Sequence, residues 1–261
     1  MNAGINPVTS SNDEVQTGNA LLARLNYSLM DRYLLTASVR RDGFSAFGLE
    51  NPYGTYPAFA LGWRMSEEAF VKKVKFIDNL KLRFSWGENG NRDIGRYALS
   101  RLKVTDAIID GENIKGVYTN NLANNKLKWE RTRAMNLGLD FGLLGNRLSG
   151  VLDMYYNKTT DLIVNRSLPT ITGFASVIAN LGQVDNKGLE LTLTSVNVNI
   201  PKKVHWTTTF IYSTNKNTIK HLYGKMVDVK DAEGNVIGQR EDDDVQNGWY
   251  IGHGIKDIYY Y

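Results

Sequence analysis

The sequence predicts an all-β fold, laid out as an antiparallel sheet with one apolar and one polar face. Three observations lead there. Apolar and polar residues alternate with a period of two in run after run. Short and long connections take turns between those runs, with few exceptions. The 261 residues include 24 Gly and 26 Asn but no Cys, a composition rich in turns and free of any disulfide framework, thiolate metal site or Cys nucleophile. No apolar run reaches the roughly 18 residues of a membrane-spanning helix, so a helical membrane protein is excluded. A net charge of +4, from 31 basic and 27 acidic residues, does not single out a nucleic-acid binder.

Taken in order, Leu21 to Met30 puts Leu21, Ala23, Leu25, Tyr27 and Leu29 on one face, with Arg24, Asn26 and Ser28 opposite. Asp31-Arg32 makes a tight turn. Tyr33, Leu35, Ala37 and Val39 then oppose Thr36, Ser38 and Arg40, completing a hairpin pattern. Pro57, Phe59, Leu61 and Trp63 oppose Ala58, Ala60, Gly62 and Arg64. Leu80, Leu82, Phe84 and Trp86 oppose Lys81, Arg83 and Ser85. Met135, Leu137, Leu139 and Phe141 oppose Asn136, Gly138 and Asp140. After Leu144-Gly145-Asn146, Leu148, Gly150, Leu152, Met154 and Tyr156 oppose Ser149, Val151, Asp153 and Tyr155. Leu189, Leu191 and Leu193 oppose Glu190 and Thr192, and Trp206, Thr208, Phe210 and Tyr212 oppose Thr207 and Thr209. That makes about eight strands, several near the ~9–11 residues that cross a tilted bilayer span.

The connections add to this. Asp31-Arg32, Leu143 to Arg147 and Val196 to Lys203 are short. Arg41 to Thr55, Gly87 to Lys128, Thr159 to Gln183 and everything after Asn215 are long. Ser66 to Asn79 is intermediate, and its Phe70-Val71-Lys72-Lys73-Val74 mix suggests a short helix. Sorting of this kind suits a transmembrane barrel with periplasmic turns at one end and extracellular loops at the other. A soluble sandwich, with both ends in water, has no reason for it. Aromatics near strand ends (Tyr33, Trp63, Trp86, Phe141, Tyr156, Trp206, Tyr212) suit interfacial girdles.

Several stretches resemble the SusC/RagA family of TonB-linked outer-membrane transporters. They include Leu25-Asn26-Tyr27-Ser28, Asp31-Arg32-Tyr33-Leu34-Leu35-Thr36-Ala37-Ser38 and Arg41-Asp42-Gly43. Pro57-Ala58-Phe59-Ala60-Leu61-Gly62-Trp63-Arg64-Met65-Ser66-Glu67-Glu68 and Gly87-Glu88-Asn89-Gly90-Asn91 continue it. So do Trp129-Glu130-Arg131-Thr132, Asn136-Leu137-Gly138-Leu139-Asp140-Phe141-Gly142, Tyr155-Tyr156-Asn157-Lys158 and Asn186-Lys187-Gly188-Leu189-Glu190-Leu191. The resemblance covers residues 20–261 and leaves 1–19 as a polar loop or linker. It implies part of the later barrel, about 8–10 strands of a larger barrel of roughly 22. The location it implies is the outer membrane of a Gram-negative, Bacteroidetes-like bacterium. The implied solute is an oligosaccharide or a peptide, and the implied partners are a SusD-like surface lipoprotein and TonB, the latter through a plug region that these residues do not include. Met1 to Pro7 shows no secretory signal, so the expectation is that the true N-terminus lies elsewhere.

On that reading Leu25, Leu35, Leu61, Leu82, Leu139 and Leu191 face lipid. Arg24, Asn26, Ser28, Arg40, Arg64, Lys81, Arg83, Asn136, Asp140, Asp153 and Glu190 face the lumen. The loop residues that would hold solute are Phe44, Phe47, Tyr53, Tyr118, Asn120, Asn121, Phe174 and Trp249, aromatics for stacking and amides for hydrogen bonds. No covalent chemistry is expected. His205, His221 and His253 lack metal-ligand spacing, and neither a Gly-x-Ser-x-Gly elbow nor a His-Glu-x-x-His motif occurs. Asp13/Glu14 and Glu67/Glu68 are sequence neighbours that a strand would point apart. In Glu241-Asp242-Asp243-Asp244, the carboxylates of Asp242, Asp243 and Asp244 could hold Ca²⁺, but a solvated loop is the expectation. Asp231-Ala232-Glu233-Gly234-Asn235 signals a hairpin. No enzyme, cofactor or nucleic-acid module is indicated. A passive porin-like barrel and a soluble carbohydrate-binding β-sandwich are the competing readings.

Overall fold

The computed structural model describes residues 15–257, apart from 16, 46, 48–49, 93–101, 110–111, 120, 123, 169, 175 and 246. Its strands are β1 (Gly18–Leu29), β2 (Tyr33–Phe44), β3 (Tyr53–Arg64), β4 (Ile77–Asn91), β5 (Leu102–Ile109), β6 (Glu112–Thr119) and β7 (Asn121–Leu122). They continue with β8 (Glu130–Leu143), β9 (Leu148–Ser167), β10 (Ser176–Ile200), β11 (Val204–His221), β12 (Met226–Lys230) and β13 (Val236–Glu241). One sheet runs β1-β2-β3-β4-β8-β9-β10-β11, each pair antiparallel. β7 adds a short parallel pairing to the start of β10, while β5–β6 and β12–β13 are separate hairpins. The eight main strands and both of their faces are therefore those read from the alternation.

Register explains why the faces stay clean. Tyr27 pairs with Leu35, Leu35 with Leu61, Leu61 with Phe84, Phe84 with Leu137, Leu137 with Met154 and Met154 with Leu189. One row on, Asn26, Thr36, Ala60, Ser85, Asn136 and Tyr155 pair in the same sequence. A one-residue slip anywhere would move a whole strand's leucines onto the polar face, so burial of either face fixes every register at once. Within the described residues nothing covers the apolar face, and Leu61, Met135, Leu137, Met154 and Phe210 stay exposed. β1 and β11 do not pair with each other. Among the described residues the sheet is an open arc: no strand pairs with the outer edge of β1 or β11, although Ile219 of β11 bonds there to Gly252 and His253.

Three expectations need correction. The span from Thr159 to Gln183 is mostly strand: β9 has 20 residues and β10 has 25, leaving only 168–175 as connection. Pairing continues in unchanged register through Leu162–Leu181 and Val164–Ala179, past a single interruption where Asp161 and Gly182 have φ angles of +57° and +81°. Alternation fades there, although the backbone ladder persists. The span from Ser66 to Asn79 forms a 3-10 turn, Met65–Glu67, followed by further turns, and not an α-helix. Finally, strand extension leaves β2–β3 joined by 45–52, shorter than the 65–76 segment joining β3 to β4, which reverses the expected order of lengths at that point. The other short connections are short as expected, but the first takes in three residues, Met30 to Arg32, with Met30 and Asp31 at positive φ and the Arg32 N–H donating to the Leu29 carbonyl. The Asp231–Asn235 turn joins β12 to β13 as its sequence indicates.

Candidate functional site

The polar face of the sheet is organised by ions. Arg83 on β4 donates from Nε to both oxygens of Asp140 at 3.0 Å, and from Nη2 to Asp140 Oδ1 at 2.8 Å. The same Nη2 reaches across to Asp153 at 3.2 Å. This crossing runs over Gly138, where a Cβ would stand 2.6 Å from the guanidinium and from Asp153 Oδ1. A side chain at this position would push the guanidinium or the Asp153 carboxylate aside, so glycine is what lets the ions approach this closely. Lys81 lies opposite Asp140 in register, and Glu190 lies opposite Asp153. Arg40 is bound by Asp42 at 2.8 Å, and Arg64 donates to the Asp31 carbonyl at 3.1 Å. Asn26 accepts from the Thr36 hydroxyl, while Arg24 and Ser28 stand exposed on the edge strand β1. Asn136 lines a shallow depression of about 560 Å³ with Thr36, Ala58, Ser85, Tyr155 and Asn157.

At the long-loop end a second depression, about 500 Å³, is lined by Arg24, Arg40, Asp42, Tyr56, Glu88 and Arg92, with Trp129 at its wall. Glu88 is buried and accepts from Arg131 at 3.1 Å and Arg133 at 2.7 Å. Behind it sits a closed aromatic cluster of Phe44, Phe47, Tyr56, Leu127 and Trp129, against which Ile163 and Ile178 pack. Phe47 stacks on Trp129 with ring centroids 4.9 Å apart, and Arg92 lies 4.6 Å over the Phe44 ring. Asn180 holds this end together: its carbonyl accepts from the Lys128 N–H, and its amide donates to the Lys128 and Asp161 carbonyls.

The solute-binding candidates fare unequally. Phe44 and Phe47 are only 4% and 3% exposed, so their rings belong to the cluster's core and are not open to a solute. Aromatics in a loop of this size have gained more by packing on Trp129 than by facing water. Tyr53 is exposed, with the Arg41 guanidinium 4.7 Å over its ring. Phe174 is half-buried in a turn held by the Thr172 hydroxyl, and Trp249 is half-buried in a bridge with Asp244. Tyr118 and Asn121 are placed by backbone pairing with Lys103 and Ser176, and Asn120 lies outside the described residues. No ring contact joins Tyr53, Phe174 and Trp249 among the described residues.

The acidic run is not a solvated loop. Glu241 accepts from the Leu222 and Gly224 N–H groups at 2.8 and 2.6 Å and from His221 at 3.2 Å. Asp242 binds Lys225, Asp243 binds Arg240 and the Ile251 N–H, and Asp244 accepts from Tyr223 and Asn247. Burial alone would push the Glu241 carboxyl up, yet those two backbone donors and His221 outweigh it and hold it below the usual range. Burial and the Asp244 carboxylate push the Tyr223 hydroxyl up to about 12. All four carboxylates of Glu241, Asp242, Asp243 and Asp244 thus serve protein donors. The sequence marks Glu241 only as part of an acidic run and gives no sign of its backbone donors, and Asn180 carries no local signal, since an Asn in a polar stretch looks like any other.

The family model described as "TonB dependent receptor-like, beta-barrel" matches residues 1–250. Over 264 residues the chain is 33% identical to a TonB-dependent receptor of Formosa agariphila, covering 90% of this chain and 25% of that protein. It is 37% identical to the TonB-dependent receptor SusC of Bacteroides thetaiotaomicron, covering 80% of this chain and 22% of SusC. Among solved structures it is similar to the RagAB peptide importer in its closed-closed state, with a TM-score of 0.75, 25% identity, and coverage of 90% of this chain and 24% of that one. The FrpB iron transporter of Neisseria meningitidis shares the fold at a TM-score of 0.54 and 14% identity. The chain spans about a quarter of the length of the curated relatives it matches.

Proposed function

The chain belongs to the TonB-dependent receptor β-barrel family, on its SusC/RagA-like side, and from that premise we propose that it is a wall segment of an outer-membrane nutrient importer. The observation that carries this is the eight-strand antiparallel path with one uncovered apolar face and, among the described residues, two outer edges that no strand pairs with. Hydrocarbon requires every backbone N–H and C=O to be paired, and only a closed barrel achieves this with strands. Further strands on both sides of this arc would supply the closure. A sandwich would need a second sheet over the leucines, and the described residues hold none.

In this reading Leu25, Leu35, Leu61, Leu82, Leu139 and Leu191 meet lipid. The Arg83–Asp140–Asp153 triad, with Lys81, Glu190 and Asn136, lines the lumen, and Arg24, Asn26, Ser28, Arg40 and Arg64 complete its polar surface. No bond is made or broken, so the chain acts by shape and hydrogen bonding and is not an enzyme. The solute is an oligosaccharide or a peptide, the classes that the family resemblance implies, and the likeness to the RagAB peptide importer supports the second. Tyr53, Tyr118, Asn120, Asn121, Phe174 and Trp249 are the loop groups that would touch it. A SusD-like lipoprotein would cap the long-loop end, and TonB would act through a plug outside this chain. Deleting the gene for the full receptor tests this: growth on one oligosaccharide or peptide source should be lost and restored by the intact gene. Unchanged growth on every such source would contradict it.

A further inference from the structure

The short-turn end carries a feature that transport does not use. We propose that it is a docking rim for the headgroups of anionic phospholipids in the periplasm-facing leaflet. The proposal rests on the outer-membrane reading above. Three neighbouring turns are tied into one strip. The Leu144 N–H donates to the Phe76 carbonyl at 2.9 Å, and the Asn146 N–H donates to Asp78 at 2.8 Å. The Val196 N–H donates to the Arg147 carbonyl at 2.7 Å, and Arg147 Nη2 donates to the Asn197 carbonyl at 3.1 Å. The segments 65–78, 144–147 and 196–203 therefore form a continuous edge along the foot of the sheet.

On this edge stand Lys73, Lys75, Lys202 and Lys203, all exposed, and none has an ion-pair partner among the described residues. Most of the rim's acids are engaged. Glu67 binds Lys72 and Arg64, Glu68 binds Arg32, Tyr33 and Trp63, and Asp78 binds the Asn146 N–H. Asp78 keeps its charge beside that neutral donor, and the Asp31 carboxylate is exposed at the neighbouring turn, where the Asp31 carbonyl accepts from Arg64, so the four lysines outnumber the two carboxylates without a cation partner. The free charge of the strip is thus positive. Between the lysines, Phe70, Phe76 and Leu144 are 58%, 53% and 59% exposed, while Val71 is buried and pins the segment. Exposed apolar groups beside unpaired ammonium groups, continuous with an uncovered apolar sheet face, match a lipid interface. The apolar bodies reach the acyl boundary and the lysines reach the phosphates. An acidic periplasmic protein would meet the charge but leave those phenyl rings without a medium.

The test uses the full-length receptor, purified in a zwitterionic detergent and titrated with phosphatidylglycerol or phosphatidylcholine of equal chain length. Native mass spectrometry counts the lipid adducts. The receptor should retain phosphatidylglycerol over phosphatidylcholine, with the preference disappearing at high salt. A lysine near an anionic surface contributes roughly a fivefold effect, so K73Q/K75Q/K202Q/K203Q should cut that preference by on the order of tenfold or more. The control K225Q/K230Q, at the long-loop end, should leave it intact. Equal retention of both lipids, an unchanged preference in the quadruple variant, or an equal loss in the control would each overturn the proposal. Absence of the wild-type receptor from the outer-membrane fraction would overturn the outer-membrane reading as well, so the two failures are distinguishable.

Discussion

The lower and upper halves of β9, β10 and β11 share one backbone ladder but are stabilised by different means. In the lower half Leu152, Leu191 and Tyr212 follow one another across the strands, and period-two alternation dictates each register. In the upper half Leu162 pairs with Leu181 and Thr218 with Asp185, with no clean apolar face. There the order comes from a local aromatic core, from the Asn180 amide clasp and from the Glu241 carboxylate. Solvent that differs between two faces leaves a pattern in sequence. Polar bonds to backbone atoms of distant segments leave none.

The strongest way to break this contrast is to attack each half separately. Trp129→Ala removes the ring on which Phe44, Phe47 and Tyr56 all pack. A large buried aromatic lost to alanine costs about 3–5 kcal/mol. Limited proteolysis should then cut the long-loop end of the full receptor while the barrel remains resistant to urea. Leu137→Arg attacks the other half, placing a cation in the middle row of the apolar face. If that row meets hydrocarbon, the cost is about 2–4 kcal/mol. Assembly into the outer membrane should fall, measured by fractionation and by the urea midpoint, with no new cleavage at the loops.

A smaller effect sharpens the account of the polar face. Asp140→Asn leaves Arg83 with a neutral partner and only the longer contact to Asp153. Weakening a hydrogen bond to a charged group should cost about 1–3 kcal/mol, readable as a lowered urea midpoint. Gly138→Ala should have a similar effect by pushing Arg83 away, and the two changes together should cost less than their sum because they break one network.

The smallest effect is one of pH. Glu241 is held below the usual carboxylate range, so its contribution is fully present above its unfolded pKa and is lost as pH falls through the depressed folded value. Amide exchange at Leu222 and Gly224 should therefore accelerate, relative to neighbouring amides, as the pH drops below about 4.3. In Glu241→Gln that extra acceleration should be absent.

Much of the architecture was legible in the sequence. The eight strands, their two faces and the Asp231–Asn235 hairpin follow from alternation and turn chemistry. Less of the site was. Phe44 and Phe47 carry the sequence signature of loop aromatics, yet only the fold brings Trp129 from beyond a long connection to bury them. The upper parts of β9 and β10 look like loop in the sequence because pairing without face-sorting resembles irregular polar chain. The Arg83–Asp140–Asp153 triad lay within the expected polar set, but its convergence needs Gly138, whose role depends on the two flanking strands.

The central claim is that the two faces of this arc meet two different media. The 261 residues hold no cysteine, so single spin-labelled cysteines can be placed along β3 of the full receptor in its membrane, with any cysteine elsewhere in the receptor replaced. Labels at Phe59, Leu61 and Trp63 should be reached by a lipid-soluble relaxer such as oxygen. Labels at Ala58, Ala60 and Gly62 should favour a polar metal complex, giving a period-two oscillation along the strand. Uniform accessibility, or an oscillation of opposite phase, would contradict the claim that this sheet is a membrane wall with its leucines in lipid.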